Sequence, residues 1–219
     1  MAIHAPSFRR SWLVFWALTV AAPSHAETLT AHVATVQGKA LADAVVTALP
    51  VGSAAISAKP GTRSTLIQEG KQFLPFVLPV QIGTTVVFPN RDPFRHQVYS
   101  FSPAKTFELK LYGSSEVGEV TFDMEGPVAL GCNIHDNMLA YIYVVGTPYF
   151  ATTTAEGNGT VSQLPAGSYI VKVWHPNQKA GQVDAGTINV TDTAEITVQV
   201  EMRPGRLQRK PGAIDETGY

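Results

Sequence analysis

The chain has 219 residues, 45% of them hydrophobic and only 15% charged, with 16 basic against 17 acidic side chains. That length suits one or two domains with a real core, and the composition excludes a disordered chain. The near-neutral balance gives no basic field for nucleic acid or for an anionic membrane surface.

At the start, Arg9 and Arg10 precede the apolar run 12–22, and Ser24-His25-Ala26 ends in a small-x-small pattern. Residues 1–26 therefore read as a secretory signal cleaved after Ala26, which places the protein in the periplasm. The apolar run is too short to favour a membrane span, so no membrane insertion is expected after cleavage; an uncleaved anchor is the alternative. Arg9-Arg10-Ser11-Trp12-Leu13 faintly resembles a twin-arginine signal. Cleavage removes two arginines and no acid, leaving a net charge of about −3.

Beyond residue 26 the dominant pattern is β. Runs of four to eight residues rich in Val, Ile, Thr, Tyr and Phe recur between clusters of Gly, Pro, Asn and Asp. Strands are expected at 29–36 and 44–49, followed by a flexible connection at 52–63 that contains Gly52, Ser53, Pro60 and Gly61. Further strands are expected at 73–80, 84–88, 97–101, 107–111, 117–122, 128–131 and 140–145, the number of a Greek-key sandwich. Pro75 and Pro79 make the 73–80 run an edge strand or a bulged one. After Thr147-Pro148 come short strands at 150–153, 160–164, 169–174, 187–190 and 195–200. No stretch of ten residues keeps a helical period, so little helix is expected. Residues 203–219, with Arg203, Arg206, Arg209 and Lys210, read as a disordered tail that could dock an acidic partner.

One short stretch, Gly131-Cys132-Asn133-Ile134-His135-Asp136-Asn137-Met138, carries the chemistry. Cys132 is the only cysteine. In a compartment that promotes disulfides it has no partner within the chain, so it is buried, intermolecular or committed to a metal. His135 lies three residues on and Met138 three further. A thiolate, an imidazole and a thioether together suit copper, which cycles between a soft and a borderline ion. Zinc would normally recruit a second cysteine or a carboxylate rather than a thioether. A copper site of this kind needs one more imidazole, and His96 supplies a candidate on or near the strand after the turn Pro89-Asn90-Arg91-Asp92-Pro93. His32 and His175 have no ligand partner nearby in sequence and read as surface or half-buried polar residues.

Asn90 and His96 upstream of Cys132, His135 and Met138 resemble the ligand pattern of the cupredoxin family, the type 1 blue copper proteins. The spacing of the last three is that of the short ligand loop in amicyanin-like members. The string FPNRDPFRHQVYSFSPAKTFELKLY resembles methylamine-utilisation-type periplasmic cupredoxin-domain proteins; the likeness covers roughly residues 66–147. The run TTTAEGNGTVSQLPAGSYIVKVW resembles the second half of a carboxypeptidase-regulatory-like, immunoglobulin-type module, and VQGKALADAVVTAL resembles the first half.

The resemblance implies an all-β fold in which a Greek-key cupredoxin sandwich at 66–147 is inserted into an immunoglobulin-like sandwich built from 27–65 and 148–202. The simpler alternative makes residues 27–50 the opening strands of the cupredoxin sheet. It implies one copper ion, shuttling between Cu(I) and Cu(II), with His96, Cys132 and His135 in a trigonal plane and Met138 as a weak axial ligand. Asn90 is a candidate to hydrogen-bond across to the Cys132 loop, or is an ordinary turn residue. In family members an apolar surface around the exposed histidine receives the partner, whereas here Asp136 and Asn137 follow His135. Either the docking surface is more polar or Asp136 reaches the metal; capping its own loop is the preferred role for Asp136. With four protein ligands and no open position, the expected function is a one-electron carrier rather than an enzyme. It would serve a dehydrogenase, an oxidase or a cytochrome. The alternative is copper storage or delivery, or an accessory subunit of a periplasmic oxidoreductase.

Overall fold

The computed structural model describes Met1 and residues 27–204. The rest of the expected signal segment and the tail beyond residue 204 lie outside the described residues. Among the described residues there are strands and turns but no α-helix. In chain order the strands are β1 (Glu27–Thr35), β2 (Val45–Pro50), β3 (Arg63–Thr65), β4 (Ile67–Glu69), β5 (Gln72–Leu74) and β6 (Val77–Gln81). Next are β7 (Thr84–Pro89), β8 (Tyr99–Ser102), β9 (Lys105–Glu108), β10 (Val117–Phe122), β11 (Gly126–Gly131) and β12 (Leu139–Val145). The last are β13 (Phe150–Thr152), β14 (Asn158–Leu164), β15 (Gly167–Trp174), β16 (Val183–Val190) and β17 (Thr193–Val200).

Two cores organise these strands. The first lies between the sheet β10-β7-β3 and the sheet β6-β12-β11-β8-β9. It is filled by Val86, Phe88, Phe122, Val128, Leu130, Ile142 and their neighbours. The second lies between β14-β1-β17 and β13-β2-β15-β16 and is filled by Leu29, Val33, Val46, Val161, Val171 and Val198, among others. β1 alternates strictly between buried and half-buried residues, the period of a strand with one face in a core. It is the central strand of its sheet, antiparallel to β14 and parallel to β17. β2 lies between β13 and β15. No strand of 27–50 joins the sheets that contain 63–145.

β12 differs from the others in that everything from Ala140 to Val145 is buried. Ala140, Ile142 and Val144 point into the first core, while Tyr141, Tyr143 and Val145 join Val45, Val77 and Trp174 in a third cluster. This explains the unbroken apolar run in the sequence, since a strand covered on both faces need not alternate. The third cluster is where the two sandwiches meet. Tyr143 stacks on Trp174 with ring centroids 4.3 Å apart and planes 3° from parallel.

Two segments differ from the sequence reading. The 73–80 run is not one strand: Pro75 cannot donate a ladder hydrogen bond, and the run breaks there into β5 and β6. β5 turns back on β4, and β6 forms the edge of the five-stranded sheet, parallel to β12. The 52–63 connection is tied down rather than loose, because Ile56 N donates to Gly146 O and Ala58 N donates to Ile82 O.

Two outcomes are expected. Deleting residues 27–50 removes the centre of one sheet of the second core and an inner strand of the other. Amide-exchange protection should collapse in 150–200 and persist in 84–89 and 126–131; equal loss in both regions would contradict this arrangement. The other outcome concerns His175, which is buried at the seam between the sandwiches, where burial pushes its pKa from 6.5 down to about 4. The unfolded chain then binds the proton more readily between those values. Stability should be full above about pH 6.5 and fall by up to roughly 3 kcal/mol as the pH drops toward 4. Urea midpoints should show that slope in the wild type and lose it in His175→Gln.

Candidate metal centre

The 132–138 loop is held by the antiparallel β11–β12 pair, whose last matched residues are Gly131 and Leu139. Gly131 also pairs with Tyr99 on β8, and a Cβ there would lie 2.6 Å from the Tyr99 ring. A larger residue would have to push the Tyr99 ring aside, and the pairing sets Cys132 at the end of the strand against the first core. A turn then carries His135, whose carbonyl accepts from Met138 N at 3.0 Å, and β12 begins at the next residue. Cys132 and Met138 are both buried in the first core, and His135 is half-buried.

His96 comes from the β7–β8 loop. It is fully buried and exchanges two backbone hydrogen bonds of 3.0 Å with Tyr112, an isolated bridge three residues before β8 starts. Its Nδ1 lies 3.9 Å from Cys132 Sγ, and His135 Nδ1 lies 3.9 Å from the same sulfur. One donor atom from each of His96, Cys132 and His135 lies within 4.8 Å of the others. A first-row ion with bonds of about 2.0 Å to nitrogen and 2.3 Å to sulfur in a trigonal plane needs those donors roughly 3.7 Å apart. The three residues therefore fit a single ion, and one thiolate with two imidazoles suits copper by softness.

The protonation pattern favours ligation. His96 Nε2 lies 2.7 Å from Asp92 Oδ2, so the ring proton sits on Nε2 and the Nδ1 lone pair faces the thiol. Asp92 is held in turn by Gly70 N at 2.7 Å and Lys71 N at 3.0 Å. Those amides belong to the two-residue turn of the β4–β5 hairpin, with φ of 62° and 55°, the backbone of a type I′ turn. Burial opposes ionisation of Asp92, but the hydrogen bonds from His96, Lys71 and Gly70 outweigh it and hold the pKa below the usual carboxylate range. Burial lowers the pKa of His135, with the charge of Lys71 acting the same way and that of Asp92 opposing it. Below the site, burial pushes the pKa of Tyr112 up to about 12. Its hydroxyl donates to Phe88 O at 2.6 Å and accepts from Gln68 Nε2 at 2.6 Å.

The structure thus gathers His96, Cys132 and His135 and places Met138 in the core that contains Cys132. Asn90 does not reach across to the Cys132 loop. Its Nδ2 donates to Phe94 O and Tyr112 O, and its Oδ1 accepts from Asp92 N, because the tight turn brings those groups closer. Asp136 is exposed and outside the donor cluster. Sequence reasoning missed Asp92, although a carboxylate four residues before the candidate histidine was a usable signal. It also missed Phe94, whose ring centroid lies 5.1 Å from that of His96 and 5.6 Å from that of His135.

No family model and no curated protein matches the chain. The solved structures it is similar to include cupredoxins and a copper enzyme. The copper-containing nitrite reductase of Thermus scotoductus SA-01 is 29% identical with a TM-score of 0.37, over 46% of this chain and 25% of the reductase. The chain thus spans about a quarter of that enzyme's length. A purple cupredoxin from Nitrosopumilus maritimus is 22% identical with a TM-score of 0.34, over 37% of this chain and 98% of that one. A reduced amicyanin mutant is 16% identical with a TM-score of 0.36, over 45% and 98%.

The Asp92 bond has a measurable consequence. Asp92→Asn removes the charge that fixes the His96 tautomer and should weaken Cu(II) affinity by roughly 10–100-fold while leaving the fold intact. Competition titration with circular dichroism as a control measures this; unchanged affinity would reduce Asp92 to a loop tie.

Proposed function

We propose that the chain is a periplasmic type 1 copper protein that carries single electrons between protein partners. The observation that carries this reading is the cluster of one thiol and two imidazole nitrogens, brought within 4.8 Å of one another by loops of a packed sandwich. Copper, when bound, supplies a one-electron couple.

The chain's own residues do the rest. Cys132 offers a thiolate, His96 and His135 offer imidazole nitrogens, and Met138 is proposed as the weak fourth donor. That set leaves no open position for a substrate, which favours a carrier over an enzyme. Burial of His96, Cys132 and Met138 excludes water and resists rearrangement as the charge changes. His135 is the ligand nearest solvent, beside Phe94 at 38% and Ile134 at 52% exposure. Those apolar side chains give a protein redox partner a contact surface next to a ligand. The periplasmic assignment rests on residues 1–26 and on the single cysteine.

The wild-type chain loaded with Cu(II) should show an intense thiolate-to-copper absorption band, absent in Cys132→Ser. Met138→Leu should keep copper and raise the reduction potential, because a donor that favours Cu(II) is gone. Copper should stay bound through repeated oxidation and reduction in the presence of a Cu(I) chelator. A colourless wild-type complex would refute the type 1 site, and ready loss of Cu(I) would turn the reading toward copper delivery.

A further inference from the structure

The seam between the sandwiches contains a cleft of about 540 Å³, a size typical of small-molecule sites and far above the voids of a packed interior. It opens on the outer face of the five-stranded sheet, the side turned away from Cys132. One wall is aromatic. Tyr141 and Tyr143 come from β12 and Trp174 from the end of β15. Tyr143 and Trp174 are locked face to face, and Tyr141 meets Trp174 edge-on at 6.0 Å.

The polar groups in this cleft are biased toward donors. His175 is only 2% exposed, and its Nδ1 accepts from Asn177 N at 3.1 Å, so the neutral ring carries its proton on Nε2. Among the described residues, Nε2 has no hydrogen-bond partner. The Tyr143 hydroxyl accepts from Gln182 Nε2 at 2.9 Å and keeps a proton of its own, since burial, with the charge of Glu125 adding to it from outside the cleft lining, pushes its pKa up to about 12. Arg203 lies on the lining with its backbone N bonded to Asn177 O at 2.9 Å. Among the described residues its guanidinium has no carboxylate partner, and no carboxylate lines the cleft. A flat apolar wall with two donors and, among the described residues, a cation without a carboxylate partner suits a flat apolar ligand that carries a negative charge.

We propose that this cleft is a binding site for a small aromatic carboxylate, its ring against Tyr141, Tyr143 and Trp174 and its carboxylate toward Arg203 and His175. The site is separate from the metal centre and does not depend on the metal. The full chain is titrated with phenylacetate, with phenethylamine and acetate as controls, following the indole N–H resonance of Trp174, the only tryptophan after residue 26. Phenylacetate should shift that resonance saturably, with or without copper, whereas phenethylamine and acetate should not. Arg203→Gln, a surface change, should weaken phenylacetate binding about tenfold or more, as loss of a charge-assisted bond does. Equal binding of phenethylamine, equal binding of acetate, or an unchanged affinity in Arg203→Gln overturns the proposal. So does an absence of saturation in the full chain, including the case where a chain ended after residue 204 binds and thereby assigns the cleft to residues 205–219.

Discussion

The structure depends on the burial of β12 from both sides. Ala140, Ile142 and Val144 close the core that contains Cys132 and Met138, and Tyr141, Tyr143 and Val145 close the seam with the second sandwich. A shift of one residue would exchange the two sets and put tyrosine hydroxyls into a dry core. The register is therefore strongly specified. That register fixes Gly131 opposite Leu139, and so fixes the two ends of the loop that holds Cys132, His135 and Met138. Each large apolar side chain buried on this strand contributes about 1.5–3 kcal/mol, several times a typical surface ion pair. The exposed pairs Lys105–Asp123 and Lys179–Glu201 are minor by comparison.

The cluster of His96, Cys132 and His135 is prepared by a second constraint that comes from a distant part of the chain. The β4–β5 hairpin turn points two amides at Asp92, Asp92 holds His96 Nε2, and His96 Nδ1 faces Cys132 Sγ. Each link uses a buried polar group that would be costly to leave unmade. The chain of bonds therefore sets the histidine's orientation and tautomer together. Among the described residues no carboxylate holds His135, and its ring is more open, as the proposed electron-transfer role requires.

Much of this was legible in the sequence, and the gaps have physical causes. The alternation of β1 and the apolar run of β12 announced strands, and the Cys132, His135, Met138 spacing announced the loop. His96 was identifiable because such a loop needs a second imidazole, and the turn before it placed it close to a strand. β3 and β4 were not, because three polar-rich residues carry no period. They exist through pairing with β7 and β5, which only the folded chain provides. The same holds for Asp92: its histidine is four residues away, but the amides that hold it ionised come from residues 70 and 71. The seam cleft was invisible for a similar reason, since Tyr143 and Trp174 are far apart in sequence and each reads alone as an ordinary core residue.

The fold, rather than a metal, brings one sulfur and two imidazole nitrogens together at the proposed copper site. X-ray absorption at the copper edge, on the full chain loaded with copper in each oxidation state, tests it most directly. One sulfur and two imidazole nitrogens should be the short contacts in both states, with little change in their lengths. A shell of nitrogen and oxygen alone, or loss of an imidazole on reduction, would contradict it.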